Sequence, residues 1–307
     1  MPDKAITLYN TPLTSAQAAK LKLLLREEGY KFEERPYTLY FAQKDKLTIA
    51  VYEKGPKAVI QGRGTEDFVR FRLEPDILGE ARLGYEEVLN PEMFAPHFGI
   101  DESGKGDFFG PLVIAGVYVD RDVTRQFQEL GITDSKRISS DKRIRDLASA
   151  IRRSGTAQSV VAIGPDRYNA LFLKIGNLNR LLAWGHARVI ENLCALRPDS
   201  PRALSDKFAD VRVLQRALLE KGRNIVLDQR TKAESDFAVA AASILAREKF
   251  IDWLDTAGKR VGVRLPRGVS ESVKEAARKI VEAGGRDALS GVAKMHFKTA
   301  SEILENS

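Results

Sequence analysis

The chain has 307 residues, 43% hydrophobic and 30% charged, which suits one large folded domain or two smaller ones. No run approaches the roughly 18 apolar residues of a membrane span. The first residues, MPDKAITLYNTPL, lack the basic start and apolar core of a signal peptide, so a cytoplasmic location and no membrane partner are expected. One cysteine, Cys194, excludes a disulfide framework, and with only three histidines, His97, His186 and His296, a zinc site is not expected. Any metal would be held by oxygen ligands, the chemistry of magnesium or manganese. The formal charge of +7 points to an acidic partner such as nucleic acid. Positions 1–90 hold 14 basic and 14 acidic residues, which cancel, so the whole excess lies in 91–307.

Residues 1–74 read as a small α+β unit. Ile6–Tyr9 is a short strand, and Thr14 or Ser15 caps a helix that ends near Glu28 before Gly29. Strands follow at Tyr37–Ala42, Leu47–Tyr52 and Lys57–Ile60, separated by turn residues. A second helix starts at Thr65 and carries Phe68, Phe71 and Leu73, completing a β-α-β-β-β-α order with helices on one face of one sheet. Tyr52, Lys54, Lys57, Arg63, Phe68, Arg70, Phe71 and Arg72 mix cations with aromatics, as a nucleic-acid surface does. A scaffold that merely packs its aromatics is the alternative. Residues 75–96, with Pro75, Gly79, Gly84, Pro91 and Pro96, form a linker with a short helix around Tyr85–Leu89.

Residues 97–307 alternate strand and helix. Phe98–Glu102 and Leu112–Val119 pair, and further strands fall at 158–163, 202–205 and 223–228. Helices are expected at 139–153, 165–174, 177–196, 209–221, 234–256 and 270–283. Strands first and crossovers later give an α/β core with a mixed sheet.

The stretch GIDESGKG (99–106) has the G-x-x-x-x-G-K spacing of a phosphate-binding loop, but Gly106 stands where that loop needs Ser or Thr. Asp101 and Glu102 would repel the phosphates. The dinucleotide fingerprint fails too, because Phe109 occupies the third glycine position. The acids make sense with a divalent cation between them and a phosphate. Neighbouring side chains on a strand point to opposite faces, so their convergence requires the strand to turn between them. Gly104 and Gly106 let backbone approach a sugar–phosphate closely, and Lys105 adds a cation.

GIDESGKGDFFGPLV (99–113) resembles the signature of type 2 ribonucleases H, and its Gly-Lys-Gly is similar to the HIII branch. The resemblance continues, in order, in DSK (134–136), KIGNLNRLLAWGHARVIENL (174–193), SDKF (205–208) and TKAES…AVAAASILAR (231–247). It spans 98–300, and residues 1–74 look like the family's TATA-binding-protein-like substrate-binding domain. The resemblance implies an α/β fold with a ribonuclease H-like mixed-sheet catalytic domain over 97–307. It implies a monomeric endonuclease that cleaves the RNA strand of RNA–DNA hybrids with two Mg2+ or Mn2+ ions, leaving 5′-phosphate and 3′-hydroxyl ends. By matching position, its catalytic carboxylates are Asp101, Glu102, Asp206 and Glu234, the first three holding metal. SDKF departs from the more usual Thr-Asp-Gln-Phe around Asp206. Ser103, Gly104, Lys105 and Gly106 would contact substrate, with Gly104–Gly106 reading 2′-hydroxyls, and Lys136 resembles a phosphate contact. Two alternatives stay open: a ribonuclease HII-like enzyme cutting at single embedded ribonucleotides, and a nucleic-acid-binding protein without catalysis.

The residues by themselves leave other choices. Asp206 also reads as a helix N-cap, Lys136 as a solvated turn lysine, and His186 as a packed helical histidine. For the fourth carboxylate Glu234 competes with Asp236 and Asp228. At about 100° per residue, Glu234 shares a stripe with Phe237, Ala241, Ile244 and Leu245, which should pack on the sheet. Asp236 shares the opposite stripe with Ala240, Ser243 and Arg247, expected to face solvent, and Asp228 ends its strand.

Overall fold

A computed structural model describes residues 6–80, 90–208, 210–219, 221–231 and 233–305. The helix expected around Tyr85–Leu89 lies outside them. The chain divides into two compact units, Met1–Pro91 and Glu92–Ser307.

The first unit is an antiparallel sheet in the order β1-β5-β4-β3-β2, built from β1 (Leu8–Pro12), β2 (Lys31–Glu33), β3 (Thr38–Lys44), β4 (Leu47–Tyr52) and β5 (Lys57–Gly62). Strand β2 is an addition to the expected pattern, because three residues show no alternation to read. Helix α1 (Ser15–Glu27) starts with a capping box: Gln17 N–H donates to Thr14 Oγ1 at 3.1 Å and Thr14 N–H to Gln17 Oε1 at 2.9 Å. Helix α2 opens at Thr65–Phe68 and continues with π-helical bonding over Val69–Leu78, past Pro75 and into residues expected to be linker. Strand alternation puts Tyr40, Ala42, Ile49, Val51, Ala58 and Ile60 on one face, buried with Leu21 and Leu25 of α1 and Val69 and Leu73 of α2. Phe41, Thr48, Ala50, Tyr52, Val59 and Gln61 line an open hollow on the other face, where the Arg35 guanidinium stacks 3.3 Å from the Phe41 ring centre. The expected cation–aromatic surface therefore splits. Phe68 is core, while Tyr52 and Phe71 are 41% and 68% exposed. Arg70 pairs with Glu66, and Arg72 with Glu28 and Asp76.

In the second unit, β6 (His97–Ser103), β7 (Leu112–Val119) and β8 (Gln158–Ile163) form an antiparallel meander, and β9 (Arg202–Asp206) and β10 (Val226–Arg230) add parallel to β6, giving the order β10-β9-β6-β7-β8. The expected elements are present, with short additions: α3 (Pro91–Phe94), α4 (Arg121–Glu129) and α11 (Lys298–Glu305). Between them lie α5 (Asp141–Arg153), α6 (Pro165–Ile175), α7 (Leu178–Leu196), α8 (Val211–Ala217), α9 (Phe237–Val261) and α10 (Glu271–Ser290). Strand β7 is buried at every position, as its unbroken apolar run LVIAGVYV requires of a strand covered on both faces. Val113, Ala115 and Val117 pack in one core with α9, and Leu112 and Ile114, with Phe98 and Ile100 of β6, in a second core under α7. With both faces of its central strands covered, those strands meet a ligand at their ends.

Candidate active site

Parallel pairing of β6 with β9 brings two carboxylates together at such an end. Ile100 lies opposite Ser205, so Asp101 and Asp206 follow side by side. Leu204, two residues before Asp206, packs with Val239 of α9, which places Asp206 on the α9 face; Phe98 and Ile100 pack under α7, which places Asp101 on that same α9 face. Glu102 therefore points the other way, toward α7. The expected turn between the two acids is absent: β6 stays paired with β7 through Glu102↔Ile114 and Ser103↔Val113, and the chain turns only at Gly104, φ +86°. Backbone pairing is satisfied along the whole strand, so nothing breaks it earlier.

Their environments differ accordingly. Burial, and then the negative charge of Glu102 and Asp206, holds the Asp101 carboxyl well above the usual carboxylate range, against hydrogen bonding from Glu102 N–H at 2.8 Å. Burial pushes Glu102 up as well, but a 3.1 Å hydrogen bond from His186 Nε2 and the Lys105 ammonium 3.5 Å away prevail and leave it below its ordinary value.

The glycines of the loop divide their labour. Gly104 is buried, and a Cβ there would lie 2.2 Å from Pro111 O, so the fold itself demands glycine. Gly106 is exposed, with an ordinary φ and open space for at least 4 Å around the point where a Cβ would stand. Of the two, only Gly106 offers its backbone to a ligand. Behind the loop, Gly268 N–H donates to Asp107 Oδ1 at 2.6 Å, and the buried Lys294 ammonium donates to the carbonyls of Asp107 (2.9 Å) and Phe109 (3.4 Å).

Lys136 sits in a 3-10 turn, Ser135–Arg137, where its N–H donates to Asp134 Oδ1 at 3.0 Å. The turn is pinned to α9: Ser243 Oγ accepts from Ser135 N–H at 3.1 Å, and Arg247 donates to Ser135 O. Partial burial lowers the affinity of the Lys136 ammonium for its proton, but Asp101, Asp134, Glu234 and Asp206 outweigh it and raise its pKa. The side chain itself is exposed. Lys136 is thus a cation set in the field of three of the four expected carboxylates.

Glu234 lies in a 3-10 turn, Ala233–Ser235, ahead of α9 rather than in its first helical turn. Asp236 is the N-cap, accepting from Ala238 N–H (2.8 Å) and Val239 N–H (3.3 Å), a role its short carboxylate performs better than a glutamate. The stripe expected to face solvent is in fact buried. Asp236 is 5% exposed and hydrogen-bonded to His97 Nε2 at 3.0 Å, Ala240 is core, and Ser243 and Arg247 hold the Lys136 turn. Helix α9 lies against the sheet and α5 together, so its apolar moment does not single out one face. Glu234 Oε2 is buried and has no hydrogen-bond partner among the described residues. Asp228 is held elsewhere: it pairs across the sheet with Leu204 rather than Asp206 and accepts from Arg230 Nε at 2.7 Å.

An all-oxygen set fits Mg2+ or Mn2+: crowded carboxylates at Asp101, and an orphaned carboxylate oxygen on Glu234. Among the described residues, no three such side chains converge closely enough to enclose an ion unaided. Mg2+ keeps several waters and is bound through one or two carboxylates plus substrate phosphate oxygens. Two groups around the site were not legible as part of it, His186 under Glu102 and Lys294 under the loop.

Residues 98–300 match the family profile described as Ribonuclease HII. The chain is 42% identical over 296 residues to the Ribonuclease HIII of Protochlamydia amoebophila (strain UWE25), covering 96% of each chain. It is 40% identical over 303 residues to the Ribonuclease HIII of Chlamydia caviae, covering 98% of this chain and 99% of that one. Among solved structures, Bst-RNase HIII in complex with Mn2+ superposes with a TM-score of 0.68 at 27% identity, covering 98% of this chain and 99% of that one. The profile match over residues 98–300 makes the chain a type 2 ribonuclease H, and its mixed sheet agrees with that class. Within that class, near-full-length identity places the chain in the ribonuclease HIII family. It is a ribonuclease H enzyme.

Proposed function

We propose that this enzyme cleaves the RNA strand of RNA–DNA hybrids at the β6/β9 strand ends, with Asp101, Glu102 and Asp206 holding Mg2+ or Mn2+ and Glu234 as the fourth catalytic carboxylate. The observation that carries the reading is the crowding of Asp206 and Glu102 on buried Asp101, a concentration of negative charge that a divalent cation relieves. Two bound ions would supply an activated water and neutralise charge on the scissile phosphate. The chain's own groups do the rest. Asp101 and Asp206, adjacent on one face, fix the centre; Glu234 presents its free oxygen toward it; Lys136 meets a phosphate oxygen. Ser103, Gly104, Lys105 and Gly106 form the loop against the RNA, where bare Gly106 admits a ribose and its 2′-hydroxyl. The products carry 5′-phosphate and 3′-hydroxyl ends.

The open sheet face of residues 1–74 is read as the hybrid-docking surface, its Arg35–Phe41 stack, Thr48, Tyr52 and Gln61 suited to sugar–phosphate contacts. The enzyme is read as a cytoplasmic monomer. One assay tests the whole: cleavage of a long hybrid against a duplex with one embedded ribonucleotide, with and without Mg2+. Mg2+-dependent cuts along the long hybrid are expected. Cuts only at the single ribonucleotide would favour the HII-like activity, and binding without cuts a non-catalytic role.

A further inference from the structure

Helix α7 carries a fully buried histidine that the cleavage mechanism above does not use. His186 has no exposed surface. Its helix comes close to the sheet because the preceding residue is glycine: a Cβ at Gly185 would lie 2.5 Å from Ile114 Cδ1. At that distance His186 Nε2 reaches Glu102 Oε2, 3.1 Å away and 84 residues distant in sequence. An ionised carboxylate only accepts hydrogen bonds, so Nε2 carries the hydrogen. The other ring nitrogen, Nδ1, is buried and has no partner among the described residues, so Glu102 is the one polar group that fixes the ring. The ring also packs 4.6 Å from that of Phe208, two residues beyond Asp206. Phe208 blocks rotation of the imidazole on one side, and the imidazole in turn braces the chain leaving β9.

We infer that His186 is a positioning residue: it holds Glu102 in the one orientation that leaves Oε1 for metal and couples that carboxylate to the Asp206 strand end. The inference rests on the proposed metal role of Glu102. Lys105, 3.5 Å from Oε1 and 40% exposed, is the weaker restraint and is free to turn to substrate. The His186 bond, from a fully buried ring to a carboxylate 13% exposed, persists.

Three variants of the full chain separate the possibilities, with Mn2+ binding followed by the electron paramagnetic resonance of free Mn2+. His186→Leu keeps the bulk and removes the donor; His186→Gln places an amide N–H near the position of Nε2. Orienting partners of metal ligands are worth roughly 10–100-fold in affinity, so His186→Leu should bind Mn2+ at least about tenfold more weakly and His186→Gln within about threefold of wild type. Wild-type affinity in His186→Leu, or equal losses in both variants, would overturn the positioning role. Glu102→Gln tests the underlying site: if it binds Mn2+ and cleaves like wild type, the metal assignment itself is wrong. If Glu102→Gln loses both and His186→Leu neither, only the positioning role falls. A measurement without any His186 variant covers the case where His186→Leu does not fold. With three histidines in the chain, 15N-histidine spectra of the wild type are simple to assign. Adding Mg2+ should shift the His186 ring nitrogens and leave those of His97 and His296 in place; an unmoved His186 signal refutes the inference.

Discussion

The two units each contain a five-stranded sheet, and the difference lies in how many faces are covered. In the first, α1 and α2 cover one face, and the other exposes Tyr52 and Gln61 beside half-buried Thr48, with Phe41 lying under Arg35. In the second, α9 and α7 cover both faces of the central strands, which meet a ligand at the ends where Asp101, Glu102 and Asp206 lie. A whole open face offers many weak contacts and suits grip. A strand end between two packed layers holds a few side chains rigidly and with little water, which suits chemistry. The comparison predicts a clean division: damage at the strand ends should lower turnover, and damage on the open face should lower affinity.

The largest effect is expected at Asp101 and Asp206. Asp101→Asn or Asp206→Asn should reduce kcat on a long hybrid by at least roughly 1000-fold, about 4 kcal/mol, with hybrid affinity little changed. Near-normal turnover in either would mean that the strand ends are not the site. Next comes the turn before α9. Glu234→Gln should cost at least roughly 100-fold in kcat, about 2.7 kcal/mol, while Asp236→Asn stays within a few-fold. Asp236→Ala should instead appear in stability, by roughly 1–3 kcal/mol, because it removes both a helix cap and the partner of buried His97. A reversed ranking in kcat would place the metal carboxylate on the cap.

These two neighbours show where sequence reading stops. Strands such as Leu47–Tyr52 and Gln158–Ile163 end where their alternation and turn residues end, and the order of elements follows from local signals alone. Asp101 and Glu102 are legible from the charge of their own loop, Asp206 and Glu234 as catalytic groups from motif resemblance, and the structure brings Asp101, Asp206 and Glu234 into the field of one lysine. What periodicity did not reveal is direction. Helix α9 is buried along most of its first three turns, so an apolar stripe cannot say which side meets the sheet and which the Lys136 turn. Position 186 reads as inward-facing on α7, but its partner, Glu102, is a contact made only by the tertiary fold. Lys294 gives no signal at all, since a lone lysine in VAKMHF looks solvated until its carbonyl partners are placed.

On the open face the expected effect is smaller and of another kind. Arg35→Ala combined with Tyr52→Ala should raise KM for a long hybrid about tenfold, taking stacking and one phosphate contact at roughly 1–3 kcal/mol together, and leave kcat within about twofold. Removing one phosphate contact should also reduce the salt slope of binding by about 1. A fall in kcat with unchanged KM would erase the division between grip and chemistry.

The last effect is on stability alone and concerns what double coverage does to a buried cation. Lys294 has no exposed surface, and its ammonium lies between the Tyr168 and Phe250 rings, 5.7 and 6.0 Å from their centres, with backbone carbonyls as its hydrogen-bond acceptors. Burial pushes its pKa down to about 7, against the weaker upward pull of Asp107. Below pH 7 both folded and unfolded chains carry the proton, and the penalty for burying the charge is constant. Between pH 7 and the ordinary lysine value only the unfolded chain keeps it, so folding releases a proton and stability rises with pH. From pH 7 to 9 the gain is roughly 2 kcal/mol for one such group. Both tryptophans, Trp184 and Trp253, lie in the second unit, so urea unfolding followed by tryptophan fluorescence reports that unit alone. The wild-type midpoint should rise between pH 7 and 9, and Lys294→Met, which cannot titrate, should lose most of that rise. An equal rise in both proteins would show that Lys294 stays protonated in the fold, and that two covered faces do not exclude water from beneath the loop.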